Sequence, residues 1–275
     1  FEMDLWMSMA YFIEQQVDYC IIEAGMGGRL DATTALDYKA CLITNVGLDH
    51  TEYLGDTFEQ IAYEKSGVFK PNVPALTTED KPECQKVMEL VADYMKTPLC
   101  FIDCQETDVL RWNGMTFHLN PPLYQAKNLS LALETLNVLG IWLEENEIQQ
   151  VIDHFQWAGR YMVLRKDPLV LLDGAHNVHG ITALIQSLKD FTGKIYFSVL
   201  KEKDAPHMIE LLRSISKDIT LVEISSARLY PLEELGYPII TVDELISRLL
   251  DTKEDSLLCG SLYYVGEVLE KWGNV

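Results

Sequence analysis

Five short clusters in this sequence place reactive side chains where the backbone is built to turn. Residues 23–34 (EAGMGGRLDATT) hold three glycines within four positions, between the carboxylates Glu23 and Asp31. Glycines at that density let a chain bend sharply and come close to a ligand. Residues 44–52 (TNVGLDHTE) set His50 beside Asp49. Residues 64–67 (EKSG) carry Lys65 in what reads as a last helical turn, where the helix dipole alone accounts for a cation. Residues 173–177 (DGAHN) offer a carboxylate and a titratable imidazole three positions apart, Asp173 and His176. In residues 259–261 (CGS), Ser261 reads as a helix N-cap, a place that also suits an anion.

Each cluster taken singly has a plain structural explanation: a capped turn, a solvated loop histidine, a dipole partner. Several chemistries are disfavoured at once. Gly25 and Gly27 lack the third glycine and the following helix of a dinucleotide fingerprint. His176 and His179 form an HxxH pair with no third zinc ligand spaced nearby. No Gly-x-Ser-x-Gly elbow is present, which removes the simplest hydrolase reading.

The elements that must hold these clusters alternate along the chain. Residues 17–23 and 40–46 read as buried parallel strands, continuous rather than alternating in hydropathy. Asp56 to Glu59 reads as a capping box opening a helix that stops at Gly67. Residues 73–77 and 99–102 read as strands around a helix over 82–95, and 115–119 as one arm of a hairpin after Asn113-Gly114. Leu129, Leu133, Leu136 and Leu139 mark one helix face, and Ile148, Val151, Ile152 and Phe155 the next. Beyond Gly159-Arg160 come strands at 169–173, 194–200, 219–224, 238–242 and 256–259, with helices at 178–190, 204–216, 243–250 and 262–272. Strand and helix in alternation give an α/β fold of two domains with mostly parallel sheets. Ligands of such sheets bind beyond the carboxyl ends of the strands, which is where four of the five clusters fall; residues 64–67 close a helix instead.

Composition narrows the partners. With 22 Lys and Arg against 42 Asp and Glu among 275 residues, the net charge is −20. So acidic a chain repels phosphate backbones, which excludes a nucleic-acid binder. Residues 1–155 carry 9 basic and 25 acidic side chains and 156–275 carry 13 and 17, so the boundary is expected near 156. An anionic substrate must be held by local cations, metal ions or helix ends. No apolar run reaches the length of a membrane span and no leader pattern is visible, so a cytoplasmic protein without membrane attachment is expected. The six cysteines form no CxxC pair and read as reduced thiols, with Cys20, Cys41, Cys100 and Cys259 suited to buried sites.

Residues 23–34, 44–51, 64–67, 124–128 (YQAKN), 159–160, 173–177 and 260–263 (GSLY), in this order and spacing, resemble folylpolyglutamate synthase and its bifunctional dihydrofolate synthase relatives, of the Mur ligase superfamily. The resemblance covers nearly the whole chain. It implies a P-loop NTPase-like, ATPase-type domain over 1–157, incomplete at its start, and a smaller Rossmann-like ligase domain over 158–275. It also implies an ATP-dependent amide ligase that joins L-glutamate to a reduced folate, or to dihydropteroate, through an acyl phosphate. The expected cofactors are ATP and two Mg2+ ions, and the expected state is a monomer. Residue by residue, Glu23 and His50 match ligands of the second magnesium, and Lys65 matches a lysine that the family carbamylates. Asn128, Arg160 and Asp173 match ATP-binding positions, Arg160 at the domain junction. His176 and Ser261 match the site for incoming glutamate, and Asp31 the pterin side.

The family's G-x-x-x-x-G-K-[ST] loop occurs nowhere in these residues, so the 275-residue chain alone is not expected to turn over ATP. Two alternatives stand beside the folate ligase: a ligase for cell-wall precursors, and a non-catalytic homologue that binds pterin or nucleotide. The GGRLDAT and DGAHN segments favour the folate branch over the first. The joint presence of Glu23, His50, Lys65, Asp173 and His176 argues against the second.

Overall fold

The computed structural model describes residues 1–273 and divides into two compact units. The first gathers Phe1–Glu106, Leu110–Thr116 and Ala126–Glu145; the second gathers Thr107–Val109, Phe117–Gln125 and the chain from Asn146 onward.

The first unit opens with α1 (Glu2–Gln15), which buries none of its residues; Met3, Trp6, Met7 and Ile13 are 65–78% exposed. β1 (Cys41–Ile43), the single turn α2 (Thr51–Leu54), α3 (Phe58–Ser66), β2 (Ala75–Thr77), α4 (Pro82–Met95) and β3 (Leu99–Phe101) follow. The three strands form a parallel sheet in the order β1-β2-β3, and central β2 is buried at every residue. Cys41, Ile43, Ile61, Phe69 and Met88 are among the residues that fuse the sheet with α3 and α4 into one core.

The helix ends follow local chemistry. Thr57 rather than Asp56 caps α3: its hydroxyl accepts the Gln60 N–H, and the Gln60 side chain accepts the Thr57 N–H in return. Pro82 opens α4, where a missing N–H costs nothing. β4 (Val109–Trp112) and β5 (Met115–His118) make a two-stranded sheet across Asn113-Gly114, both with positive φ as a tight hairpin turn requires.

Residues 17–23 correct the expectation of a buried strand. They join no ladder, and Tyr19, Cys20 and Ile21 are exposed, Ile21 at 95%. A continuous apolar run becomes a parallel strand only where neighbours supply both hydrogen bonds and cover, and this run has neither among the described residues. Cys100 is exposed too, because β3 is an edge strand and its central residue faces away from the core.

α5 (Gln125–Val138) buries Ala126, Ser130, Leu131 and Leu133, leaving Leu129 and Leu136 half-covered, so its inner face is rotated from the expected one. In α6 (Glu145–His154) only Ile148 is fully buried. The second unit then builds β6 (Met162–Lys166), β7 (Leu169–Leu172), α7 (Val178–Ser187), β8 (Lys194–Phe197), α8 (Ala205–Leu212), β9 (Ile219–Glu223), β10 (Ile239–Thr241), α9 (Val242–Asp251), β11 (Ser256–Cys259) and α10 (Leu262–Trp272).

Its sheet runs β10-β9-β8-β11-β7-β6, parallel except for β6, an antiparallel edge that the sequence pattern did not announce. One face packs on α7 and α8, the other on α9 and α10. After stepping outward from β8 to β10 the chain returns to insert β11 between β8 and β7. That reversal brings the loops after β7, β8 and β11 to one end of the sheet, the usual binding crevice of such folds.

Candidate functional site

In the first unit the glycine-rich segment and the end of α3 interlock backbone to backbone. The Arg29 N–H donates to the Glu64 carbonyl at 2.8 Å, and the Arg29 side chain grips the Glu64 carboxylate through Nε (3.0 and 3.1 Å) and a second nitrogen (2.9 Å). A Cβ on Gly67 would lie 2.2 Å from the Arg29 Cα, and one on Gly28 would lie 2.8 Å from the Lys65 carbonyl. Asp31 accepts from the Met26 N–H and from both the N–H and hydroxyl of Thr33. Burial would raise its carboxyl, but these bonds outweigh it and hold Asp31 below the usual carboxylate range. Asp31 thus fixes the glycine turn and caps the short 3-10 helix Ala32–Ala35.

The interlock sets the environment of Lys65. Burial pushes its ammonium down from the ordinary lysine value, against the opposing charges of Asp49 and Glu23. Glu23 and Asp49 therefore reach Lys65 electrostatically. His50 is exposed, with φ +52 at the start of α2, and its N–H donates to the Asp49 carboxylate at 2.9 Å. Among the described residues no three His, Cys, Asp or Glu side chains converge on a metal-sized site. What is present suits magnesium, which takes one or two protein oxygens and fills its shell with water and phosphate.

A cleft of about 530 Å3 opens beyond the ends of β2 and β3, lined by Asp80, Gln85, Cys104, Glu106 and Lys127 among others. The Lys127 ammonium sits 2.7 Å from Asp80 and 3.6 Å from Glu106. Sequence reasoning missed this cation. A signal existed: Lys127 and Arg111 are the only basic residues between 101 and 155. Asn128 follows it in the first turn of α5, with its residue surface exposed.

In the second unit Asp173, Arg160, His176, Ser261 and Tyr124 gather at the end of the sheet. The Asp173 carboxylate is 3% exposed and accepts the Tyr161 and Ala175 N–H groups, each at 2.7 Å. Burial raises it above the usual carboxylate range; those bonds and the charges of Arg160 and His176 pull the other way. The Tyr124 hydroxyl, desolvated and facing the field of Asp173, is pushed up to about 12, with Arg160 opposing. A Cβ on Gly174 would lie 2.7 Å from the Arg160 guanidinium and 2.4 Å from Leu262, so residues 159–160, 173–177 and 260–263 touch at this glycine. His176 Nδ1 is 2.8 Å from the Gly174 carbonyl. Ser261 is buried, and its hydroxyl accepts the Tyr263 N–H as the cap of α10.

Residues 2–119 match the Mur ligase middle domain. The dihydrofolate synthase/folylpolyglutamate synthase of Bacillus subtilis is 28% identical over 308 aligned residues, covering 98% of this chain and 71% of that protein. The bifunctional folylpolyglutamate synthase/dihydrofolate synthase of Yersinia pestis, solved with AMPPNP and a Mn ion, superposes with a TM-score of 0.83 at 25% identity, over 96% of this chain and 68% of that one. Over nearly its whole length the chain is therefore similar to the dihydrofolate synthase/folylpolyglutamate synthases, and its first part to the Mur ligase middle domain. Another solved structure of the family holds Mn, AMPPNP and L-glutamate; it superposes with a TM-score of 0.78 at 26% identity, over 91% of this chain and 66% of that one. The family's two-domain α/β architecture is the one described above.

Proposed function

We propose that this chain carries the chemistry of its family, the ATP-dependent joining of L-glutamate to a carboxylate of a folate-type substrate, with dihydropteroate as a second acceptor. The observation that carries the reading is Lys65, set beside an interlocked backbone, its ammonium pushed down by burial against the charges of Asp49 and Glu23. In the reaction the substrate carboxylate attacks the γ-phosphorus of ATP, giving an acyl phosphate and ADP. The amine of glutamate then attacks the acyl carbon, and the tetrahedral intermediate expels inorganic phosphate.

The chain's residues divide the work of holding crowded negative charge. Glu23, His50 and Lys65 as its carbamate would hold magnesium, which when bound neutralises phosphate oxygens. The resemblance assigns ATP to Asn128, Arg160 and Asp173, glutamate to His176 and Ser261, and the pterin side to Asp31. Of these, Asp173 and Arg160 already face one another electrostatically. We place the boundary between the ATPase-like and ligase parts at 157/158, and expect a cytoplasmic monomer. No helix among the described residues is long and apolar enough to cross a membrane.

Only a neutral amine captures CO2, so a lowered lysine pKa favours carbamylation. In 13C-bicarbonate the chain is expected to show a carbamate 13C resonance that grows as pH rises and is absent from Lys65→Arg. Its presence in the variant, or its absence from the wild type, would remove the carbamate. For the function as a whole, magnesium-ATP should raise the Tm, since a ligand at one hundred times its Kd adds about 2.7 kcal/mol. NADH should not. Stabilisation by NADH and not by magnesium-ATP would overturn the reading.

A further inference from the structure

Glu79 is the most deeply buried carboxylate side chain among the ion pairs of the first unit, with no exposed side-chain surface. It stands two residues beyond β2 and belongs to none of the seven family segments. Both its oxygens are committed. Oε2 accepts the Val46 N–H at 2.5 Å; Oε1 accepts the Lys81 N–H at 2.8 Å and the Lys81 ammonium at 3.2 Å. Burying a carboxylate is costly unless its charge is matched and its lone pairs are used, and here Lys81 and two backbone donors do both.

The partner on Oε2 matters most. Val46 lies in the loop after β1, three residues before Asp49 and four before His50. Beside that bond the Thr78 hydroxyl donates to the Thr44 carbonyl at 2.7 Å, a second tie to the same loop. The other end of the network is anchored as well. The Gln85 side chain donates to the Glu79 carbonyl, and the Lys81 ammonium stands 5.4 Å above the ring of Phe58, the first residue of α3. Lys65 lies in the last turn of that helix. One buried carboxylate therefore ties the loop carrying Asp49 and His50 to the end of β2, and through Lys81 to the helix carrying Lys65.

We infer that Glu79 is a positioning residue for magnesium binding: it fixes the loop after β1 so that His50 is presented to the ion near Lys65. This rests on the metal role proposed above for Glu23, His50 and Lys65. The carboxylate is required rather than a side chain of that size. In Glu79→Gln one oxygen becomes an NH2 that must face a backbone N–H, donor against donor, at almost unchanged volume.

The test uses two readouts on the 275-residue chain. Amide hydrogen exchange in Glu79→Gln is expected to be at least tenfold faster at Val46 and through residues 47–50, with β3 unchanged. The Mn2+ concentration that half-broadens the His50 imidazole resonances should rise about tenfold. Unchanged exchange at 46–50 in Glu79→Gln would overturn the inference, as would faster exchange with an unmoved Mn2+ midpoint. If the wild type shows no Mn2+ broadening at His50, the metal role itself falls and the positioning of the loop is judged on exchange alone. If Glu79→Gln does not fold, Thr78→Val, which removes the second tie, takes its place with an expected threefold change in both readouts; no change would again overturn the inference.

Discussion

Gly67→Ala is expected to destabilise the first unit by about 3 kcal/mol or more, at the upper end of what overpacking costs. The added methyl would stand 2.2 Å from the Arg29 Cα and 2.5 Å from its nitrogen. These are backbone atoms, so no rotamer change relieves the contact. Gly67 has an ordinary helical φ of −61°, and the loss is therefore steric rather than conformational. In a domain of this size that corresponds to a fall in Tm of roughly 6–12 °C. The separated segments would also lose the Arg29 grip on Glu64, so the carbamate resonance of Lys65 should weaken along with the melting temperature. A variant within 0.5 kcal/mol of wild type would show that residues 23–34 and 64–67 do not interlock as described.

The second large effect falls on Asp173. Asp173→Ala strands the Tyr161 and Ala175 N–H groups beside a buried cavity, at a cost of about 2–4 kcal/mol. Asp173→Asn retains one acceptor and should lose about half as much. The sign of the pH dependence separates the two causes. Burial raises the folded-state pKa of Asp173 above its unfolded value, so its contribution is fully present below the ordinary carboxylate range and is lost as pH rises through the folded value. Asp173→Asn removes that loss. The difference in stability between wild type and variant should thus change between pH 4 and the folded-state pKa and level off above it, as chemical denaturation across that range would show. A difference independent of pH would mean that the carboxylate is ionised on both sides of the transition.

Much of this was legible because the signals were local. The helix Pro82–Met95 announced itself by its proline and its period, and the strands of the second unit by short apolar runs closed by Asp173, Ser198 and Gly260. The site clusters were legible as motifs, since close backbone approach leaves glycine as its trace: Gly28, Gly67 and Gly174 each stand where a Cβ would collide. Residues 17–23 misled because hydropathy reports that a run prefers cover, not that cover is supplied. β6 escaped because Met162–Lys166 alternates weakly and pairs at an edge. The pairing of Glu79 and Lys127 with their partners was invisible for a deeper reason. Their partners lie 33 and 47 positions away, at Val46 and Asp80, and no periodicity or spacing rule links such residues before the chain has folded.

The bare face of α1 bears on how the chain behaves as a colloid. Met3, Trp6, Met7 and Ile13 turn apolar surface to water on one helix, while the first 155 residues carry a charge of −16. At low ionic strength like charge keeps molecules apart. Salt shortens the reach of that repulsion to about 8 Å at 0.15 M and 3 Å at 1 M, and leaves the attraction between apolar faces intact. Light scattering of these 275 residues should therefore rise with added sodium chloride.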